Sequence, residues 1–170
     1  MRQMLRGTCV MMSLVGLSAC MNVTAPPEAM SFAAMAPKAP AVDLTIPMHA
    51  GETRELRALI QKYAALYDVP ESLLHRVIIR ESGHNPAARN GPYYGLMQIL
   101  PATARGMGFK GDNNDLLDAE TNLKYAGKYL RGAWLLSDGS EATAVKWYSQ
   151  GYYYEAKRRG MLVQTGLRKA

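Results

Sequence analysis

The chain has 170 residues, 48% apolar and 20% charged, with a mean hydropathy of -0.17. Those values exclude a polytopic membrane protein and a disordered chain, and the length allows one globular domain with a tail. The formal charge is +6, and the only cysteines are Cys9 and Cys20. This excludes a disulfide scaffold or a Cys-rich zinc module for the body, while an acidic partner (nucleic acid, anionic lipid or anionic polymer) stays open.

The first element in chain order is an address. Arg2 and Arg6 make a short positive segment, an apolar stretch follows over 8–17, and Leu17-Ser18-Ala19-Cys20 ends it. The stretch is too short to span a bilayer and has the length of a signal-peptide core. The small residues before Cys20 resemble the bacterial lipobox. That resemblance implies a lipoprotein signal peptide over 1–19, a thioether lipid on the Cys20 sulfur and acylation of the new amine. Several acyl chains on one residue exceed the two signals that stable anchoring needs. Met21 follows, with no Asp there, which implies an outer-membrane lipid anchor facing the periplasm. An ordinary secretory signal with an incidental cysteine is the alternative.

Loss of Arg2 and Arg6 lowers the formal charge from +6 to +4. Residues 20–50 are expected to hold the lipidated cysteine and an extended tether rich in Pro, Ala and Met. Pro26, Pro27, Pro37, Pro40 and Pro47 interrupt any helix there. Residues 51–170 are expected to form the one catalytic domain.

That domain reads as short helices. Leu56, Leu59, Ile60, Tyr63 and Leu66 recur at spacings of three and four and predict an amphipathic helix over 52–67, stopped by Asp68 and Pro70. A second helix is predicted over 71–80, starting just inside Pro70. Residues 83–94, with two glycines and two prolines, read as loop. A short helix is expected over 101–107, a polar loop over 106–115 and a long helix over 121–136. The next helix runs from 140 towards 147 with Ser140 as its N-cap. Few segments alternate with period two, so the expected fold is predominantly α: a compact bundle of short helices with at most a small β-hairpin.

One residue breaks the helical pattern. Leu74, Val77 and Ile78 form the apolar face of the second helix, and Glu81 continues it. Gly83 then ends the helix. A carboxylate at the core side of a helix C-terminus is disfavoured twice, by desolvation and by the helix dipole. A carboxyl group kept protonated in this way suits a general acid. The competing reading pairs Glu81 with Arg80, His84 or Arg89 at the rim. Downstream, Gln98 is a lone amide among apolar neighbours, and Gly95 lets backbone approach something closely. All ten tyrosines lie between Tyr63 and Tyr154. Their flat faces and polar tips suit sugar rings. For Tyr63, Tyr67, Tyr125 and Tyr129, at helical spacing, core packing is the preferred reading.

The ordered set Glu81-Ser82, Gly95-Leu96-Met97-Gln98-Ile99, Pro101-Ala102-Thr103-Ala104, Asn122-Leu123 through Gly127-Lys128-Tyr129-Leu130, and Trp147-Tyr148-Ser149-Gln150-Gly151 resembles the soluble lytic transglycosylase (SLT) family, related to goose-type lysozymes. The resemblance implies a lysozyme-like α+β domain that cuts the MurNAc–GlcNAc β-1,4 bond of peptidoglycan. It implies that Glu81 is the catalytic acid and that Tyr148 orients it by hydrogen bonding. It implies that Ser82, Tyr94, Met97, Gln98 and Asn122 line or support the sugar groove. The chain departs from the family at one block. The usual Ala-Tyr-Asn-Ala-Gly has Trp147, Ser149 and Gln150 at its first, third and fourth places, which puts substrate preference in question more than chemistry.

Most glycosidases use two carboxylates, and none besides Glu81 is singled out by spacing. Asp112, Asp115, Asp118 and Glu120 sit where capping is the expected duty. A one-carboxylate route is open if the MurNAc N-acetyl group and C6 hydroxyl take part, closing a 1,6-anhydro ring. The alternatives are a hydrolytic muramidase and a non-catalytic peptidoglycan-binding lipoprotein. No cofactor or metal is expected, because His49, His75 and His84 lack ligand-like spacing. The expected partners are peptidoglycan glycan strands and, through the lipid, a membrane. The basic tail Lys157-Arg158-Arg159 and Arg168-Lys169 reads as a solvated face, and nucleic acid is not expected as a partner.

Overall fold

The computed structural model describes residues 42–169. The expected signal peptide, Cys20 and most of the expected tether lie outside the described residues. Among the described residues, no helix is long and apolar enough to cross a membrane.

The chain folds as α1 (Arg54–Tyr67), α2 (Glu71–Ser82), β1 (Arg89–Asn90), β2 (Tyr93–Tyr94), α3 (Pro101–Gly106), α4 (Ala119–Leu135), α5 (Glu141–Gln150) and α6 (Tyr153–Arg158). A 3₁₀ turn over Asn113–Leu117 precedes α4. The predominantly helical expectation holds, and the small hairpin falls inside 83–94, which patterning read only as loop.

Local chemistry explains most boundaries. The Thr53 hydroxyl accepts from the Leu56 N–H, the Asp118 carboxylate from the Thr121 N–H, and the Ser140 hydroxyl from the Thr143 N–H. Each satisfies an N–H that the first helical turn leaves open. Asp112 and Asp115 form a reciprocal capping box on the 3₁₀ turn. Glu120 pairs with Lys62 on α1. The four acids given structural duties on sequence grounds are thus engaged in caps and a surface pair. The 3₁₀ turn and α6 escape the periodic pattern, being too short to show a helical period.

The core joins α1, α2, α4 and α5. Leu56, Ile60, Leu73, Leu74, Ile78, Leu123, Leu130 and Ala144 are buried together. α4 packs on α1 and α5, and α2 on α1 and α5. Leu66, counted in the apolar period of α1, is instead exposed at 63%. It lies off the stripe set by Leu56, Ile60, Tyr63 and Ala64, so the period overreached by one residue. Gly132 lets α4 approach the C-terminal segment: a Cβ there would lie 2.2 Å from the Tyr152 hydroxyl.

The stretch before α1 is docked along it. Arg57, fully buried, donates to the carbonyls of Ile46 (2.7 Å) and Pro47 (3.2 Å). It also holds the Glu52 carboxylate through Nε and Nη2, each at 2.7 Å. One guanidinium therefore ties residues 46–52 to the helix that follows.

Candidate active site

α2 sets the position of Glu81. Leu74, Val77 and Ile78 are buried, which fixes the rotation of the helix and brings Glu81 to the edge of the same face. Gly83, at φ +59°, closes the helix, its N–H meeting the Ile78 and Ile79 carbonyls. The Glu81 side chain retains 23% of its exposure, so it stands at the rim of the core rather than within it. Burial raises its pKa above the ordinary carboxylate value, and the nearby Arg80 opposes this only in part. The Arg80 Nε lies 3.6 Å from the Glu81 Oε1, too far for a strong hydrogen bond. Of the rim partners weighed from sequence, Arg80 alone comes within ion-pair range of Glu81.

The segment facing this helix end is a tight loop. β1 pairs antiparallel with β2 through Arg89 with Tyr94 and Asn90 with Tyr93. Tyr94 then bridges to Ile99, so Gly95–Gln98 form a closed knuckle. Asn122 of α4 holds the knuckle from within. Its Nδ2 donates to the carbonyls of Tyr94 and Leu116, each at 2.8 Å, and its Oδ1 accepts from the Met97 N–H at 3.0 Å. Gly95 has φ +75°, and a Cβ on it would lie 2.2 Å from both the Asn122 Nδ2 and the Leu116 oxygen. The close approach expected of Gly95 is therefore to Asn122 and the 3₁₀ turn. Gln98 is left-handed at φ 47° and buried, and its Nε2 donates to the Gly95 (2.8 Å) and Ala88 (3.1 Å) carbonyls. Its amide donors are consumed by the loop, leaving the carbonyl oxygen for a ligand.

Two hydroxyls tie this knuckle to its neighbours. The Ser82 Oγ donates to the Leu96 carbonyl at 2.7 Å, fastening the end of α2 to it. The Tyr148 hydroxyl, from α5, donates to the Met97 carbonyl at 2.7 Å. That proton is therefore committed to the loop and not to Glu81. Burial drives the Tyr148 phenol far up, and the Glu81 charge pushes in the same direction, so the two side chains are electrostatic neighbours. Tyr148 also meets Tyr129 edge-on, with centroids 5.5 Å apart.

Between the knuckle and α5 lies a cleft of about 280 Å³, lined by Tyr93, Gln98, Ile99, Leu100, Thr103, Tyr129, Tyr148, Ser149, Gln150 and Gly151. Glu81 is not part of this lining, but its charge acts on Tyr148, which is. The aromatic and polar surface suits sugar rings.

The residues proposed from sequence sort into two groups. Gln98 and Tyr148 line the cleft, and Glu81 is linked to it through its charge on Tyr148. Met97 and Asn122 are fully buried and cannot touch a ligand with their side chains. They act as supports, as does Ser82 through its bond to Leu96. Tyr94 is buried, with the Arg89 guanidinium 4.6 Å from its ring centroid. The exposed tyrosine at the cleft is its neighbour Tyr93. Tyr129, assigned to the core by its helical spacing, both packs there and lines the cleft. Strand alternation would have separated Tyr93 from Tyr94 had the hairpin been recognised. The departures Ser149 and Gln150 line the cleft, whereas Trp147 packs against the core with its Nε1–H buried and without a partner.

The three histidines, one before α1, one on α2 and one just past its end, converge. His49 stacks on His84 at 4.7 Å, and the His75 Nδ1 lies 3.1 Å from the His84 Nε2. Spacing alone gave no sign of this.

The Transglycosylase SLT domain family matches residues 58–159, which run from within α1 to the end of α6 and so contain Glu81, the knuckle and the cleft. With its helical bundle, small hairpin and rim carboxyl in place, the chain belongs to the SLT transglycosylase family, whose members are lyases that cleave glycosidic bonds of peptidoglycan.

Proposed function

We propose that this lytic transglycosylase is held to the outer membrane through a lipid on Cys20 and cuts the MurNAc–GlcNAc β-1,4 bond with Glu81 as its proton-transfer group. The product is a 1,6-anhydro-MurNAc end. The observation that carries the reading is the Glu81 carboxyl itself. It is half-buried, raised in pKa by desolvation and an electrostatic neighbour of Tyr148, which lines a sugar-sized cleft.

Protonated Glu81 donates to the glycosidic oxygen as the C1–O bond breaks. The N-acetyl oxygen of the same MurNAc supports the positive charge at C1. The Glu81 carboxylate then takes the proton from the C6 hydroxyl, and that oxygen bonds to C1. The acid is regenerated, no water is consumed, and the closing step gains from enforced proximity. Gln98 offers its carbonyl oxygen to a sugar N–H or hydroxyl. Tyr148, Ser82, Met97 and Asn122 hold the surrounding backbone in place. Ser149 and Gln150 replace the family's usual residues at the cleft wall, so subsite preference is expected to differ there.

Digestion of purified peptidoglycan, with the released muropeptides weighed by mass spectrometry, tests the chemistry. Products lighter by one water than hydrolysis products are expected, and reducing-end products would replace this reading with a muramidase. Anchoring is tested separately. Wild type should sediment with membranes and label with palmitate, and Cys20→Ser should do neither. Equal labelling of both would remove the lipid anchor from the proposal.

A further inference from the structure

The groups gathered behind α2 have no part in the chemistry above. Glu52, His75 and His84 come from three separate stretches of chain, and all three are buried. One ligand-capable atom from each lies within 4.8 Å of the others. The His75 Nδ1 and His84 Nε2 are 3.1 Å apart, the Glu52 Oε1 is 3.9 Å from the former, and the Glu52 Oε2 is 4.0 Å from the latter. Imidazole nitrogens and a carboxylate oxygen at about 2.0–2.2 Å from a tetrahedral zinc ion lie roughly 3.3–3.6 Å from one another. The two imidazole nitrogens are slightly closer than that, and a single Glu52 oxygen, within 4.8 Å of both, would have to move inward to complete the shell.

The surroundings favour a cation. The His75 Nε2 lies 3.3 Å from the Glu71 Oε1. A proton shared there leaves the Nδ1 lone pair facing the cluster, the carboxylate–histidine arrangement that orients metal-binding imidazoles. The His84 Nδ1 is buried without a partner, and the His84 Nε2 has the His75 Nδ1 as its hydrogen-bond partner, a contact that a shared ion would replace. Two carboxylates, buried Glu52 and partly exposed Glu71, face the single guanidinium of Arg57, leaving one excess negative charge beside the cluster. Glu52 is held by Arg57 yet keeps further lone pairs, since a carboxylate offers about four acceptor sites. His84 is also bent into position at a cost. It has φ 66°, directly after left-handed Gly83, a backbone that non-glycine residues rarely adopt.

We propose that Glu52, His75 and His84 bind one divalent transition ion of the zinc class, which staples the segment preceding α1 to the end of the helix carrying Glu81. Two imidazoles and one carboxylate suit zinc over calcium or magnesium, which prefer all-oxygen shells. The ion would be structural. It would bridge residues on both sides of the Gly83 cap and bind them to Glu52, which Arg57 already fixes to α1.

The test uses the detergent-solubilised full chain, stripped of metal and titrated with Co²⁺ and then Zn²⁺. Wild type is expected to take up one equivalent of Co²⁺, with the ligand-field absorption of a four-coordinate site and without thiolate charge-transfer bands. Zn²⁺ should displace it. At a hundredfold excess over Kd, Zn²⁺ should raise Tm by about 5–10 °C. His84→Asn, which tolerates the left-handed backbone, and His75→Gln should each lower metal affinity at least tenfold, with helical circular dichroism retained. Glu81→Gln should bind the ion like wild type. Because the Co²⁺ spectrum needs only wild type, misfolding of a variant would not decide the matter. Absence of a stoichiometric spectrum, thiolate bands, or equal binding by wild type and both folded histidine variants would overturn the proposal.

Discussion

Glu52 and Glu81 are two carboxylates near α2 with opposite fates. The Glu52 side chain is fully buried, yet its pKa falls below the ordinary value. Burial pushes it up, but the Arg57 hydrogen bonds, the His49 N–H and neighbouring positive charge outweigh that push. Glu81 keeps part of its exposure and is nonetheless raised, because desolvation acts and the sole opposing influence is Arg80. Depth of burial therefore does not decide the protonation state. The supply of hydrogen-bond donors does. One carboxylate is furnished with donors and serves the fold, while the other is denied them and is left able to give up a proton.

The sharpest way to break the comparison is Glu81→Gln. Activity on peptidoglycan should fall by about 10³-fold, within the range that proton transfer contributes. The fold should survive. A raised native pKa means that ionisation of Glu81 opposes folding, so the variant should melt slightly higher than wild type at neutral pH. Full activity would remove Glu81 from the reaction.

Arg57→Met should bring Glu52 toward the condition of Glu81. Removing one partner of a buried pair costs about 3–5 kcal/mol, seen as a lower midpoint in urea. The pH dependence should change as well. The lowered pKa of Glu52 contributes stability that is present above its unfolded value of about 4.5 and lost as pH falls through the native pKa. Arg57→Met should flatten that acid limb. An unchanged limb would show that Arg57 is not what holds Glu52 ionised.

Gly95→Ala tests the frame that holds the knuckle against the end of α2. Its Cβ would strike the Asn122 side chain and the Leu116 carbonyl at a left-handed position, so a loss of about 3 kcal/mol is expected by thermal unfolding. Tyr148→Phe is milder. It leaves the Met97 carbonyl without its donor, costing about 1 kcal/mol of stability. Activity should drop about tenfold, equivalent to about 1.4 kcal/mol in the barrier. A much larger activity loss at unchanged stability would mean that the phenol acts on Glu81 directly. The smallest effect is in wild type. Its rate should decline as pH rises through the raised pKa of Glu81, and the basic limb should sit above that of an ordinary carboxylate.

Much of the fold was legible because its determinants are local. Ser140 capping α5, Pro70 ahead of α2, and Gly83 closing α2 are each visible within a few residues, and all three boundaries stand in the structure. Glu81 was legible for the same reason, as a carboxylate on an apolar helical face. The supporting roles of Met97, Asn122 and Ser82 were not. Their spacing placed them near the site without saying whether the side chain or the backbone faces the ligand, and only packing buries Asn122 beneath the knuckle.

The sequence by itself determined the helical period, the caps and the out-of-place Glu81, because these arise from contacts within one or two turns of chain. Only the tertiary structure decided which hydroxyl binds which carbonyl, that Tyr93 rather than Tyr94 faces the cleft, and that Glu52, His75 and His84 meet. Those outcomes depend on how α1, α2 and α4 pack. Helix packing brings together residues from separate stretches of chain whose spacing carries no record of the meeting.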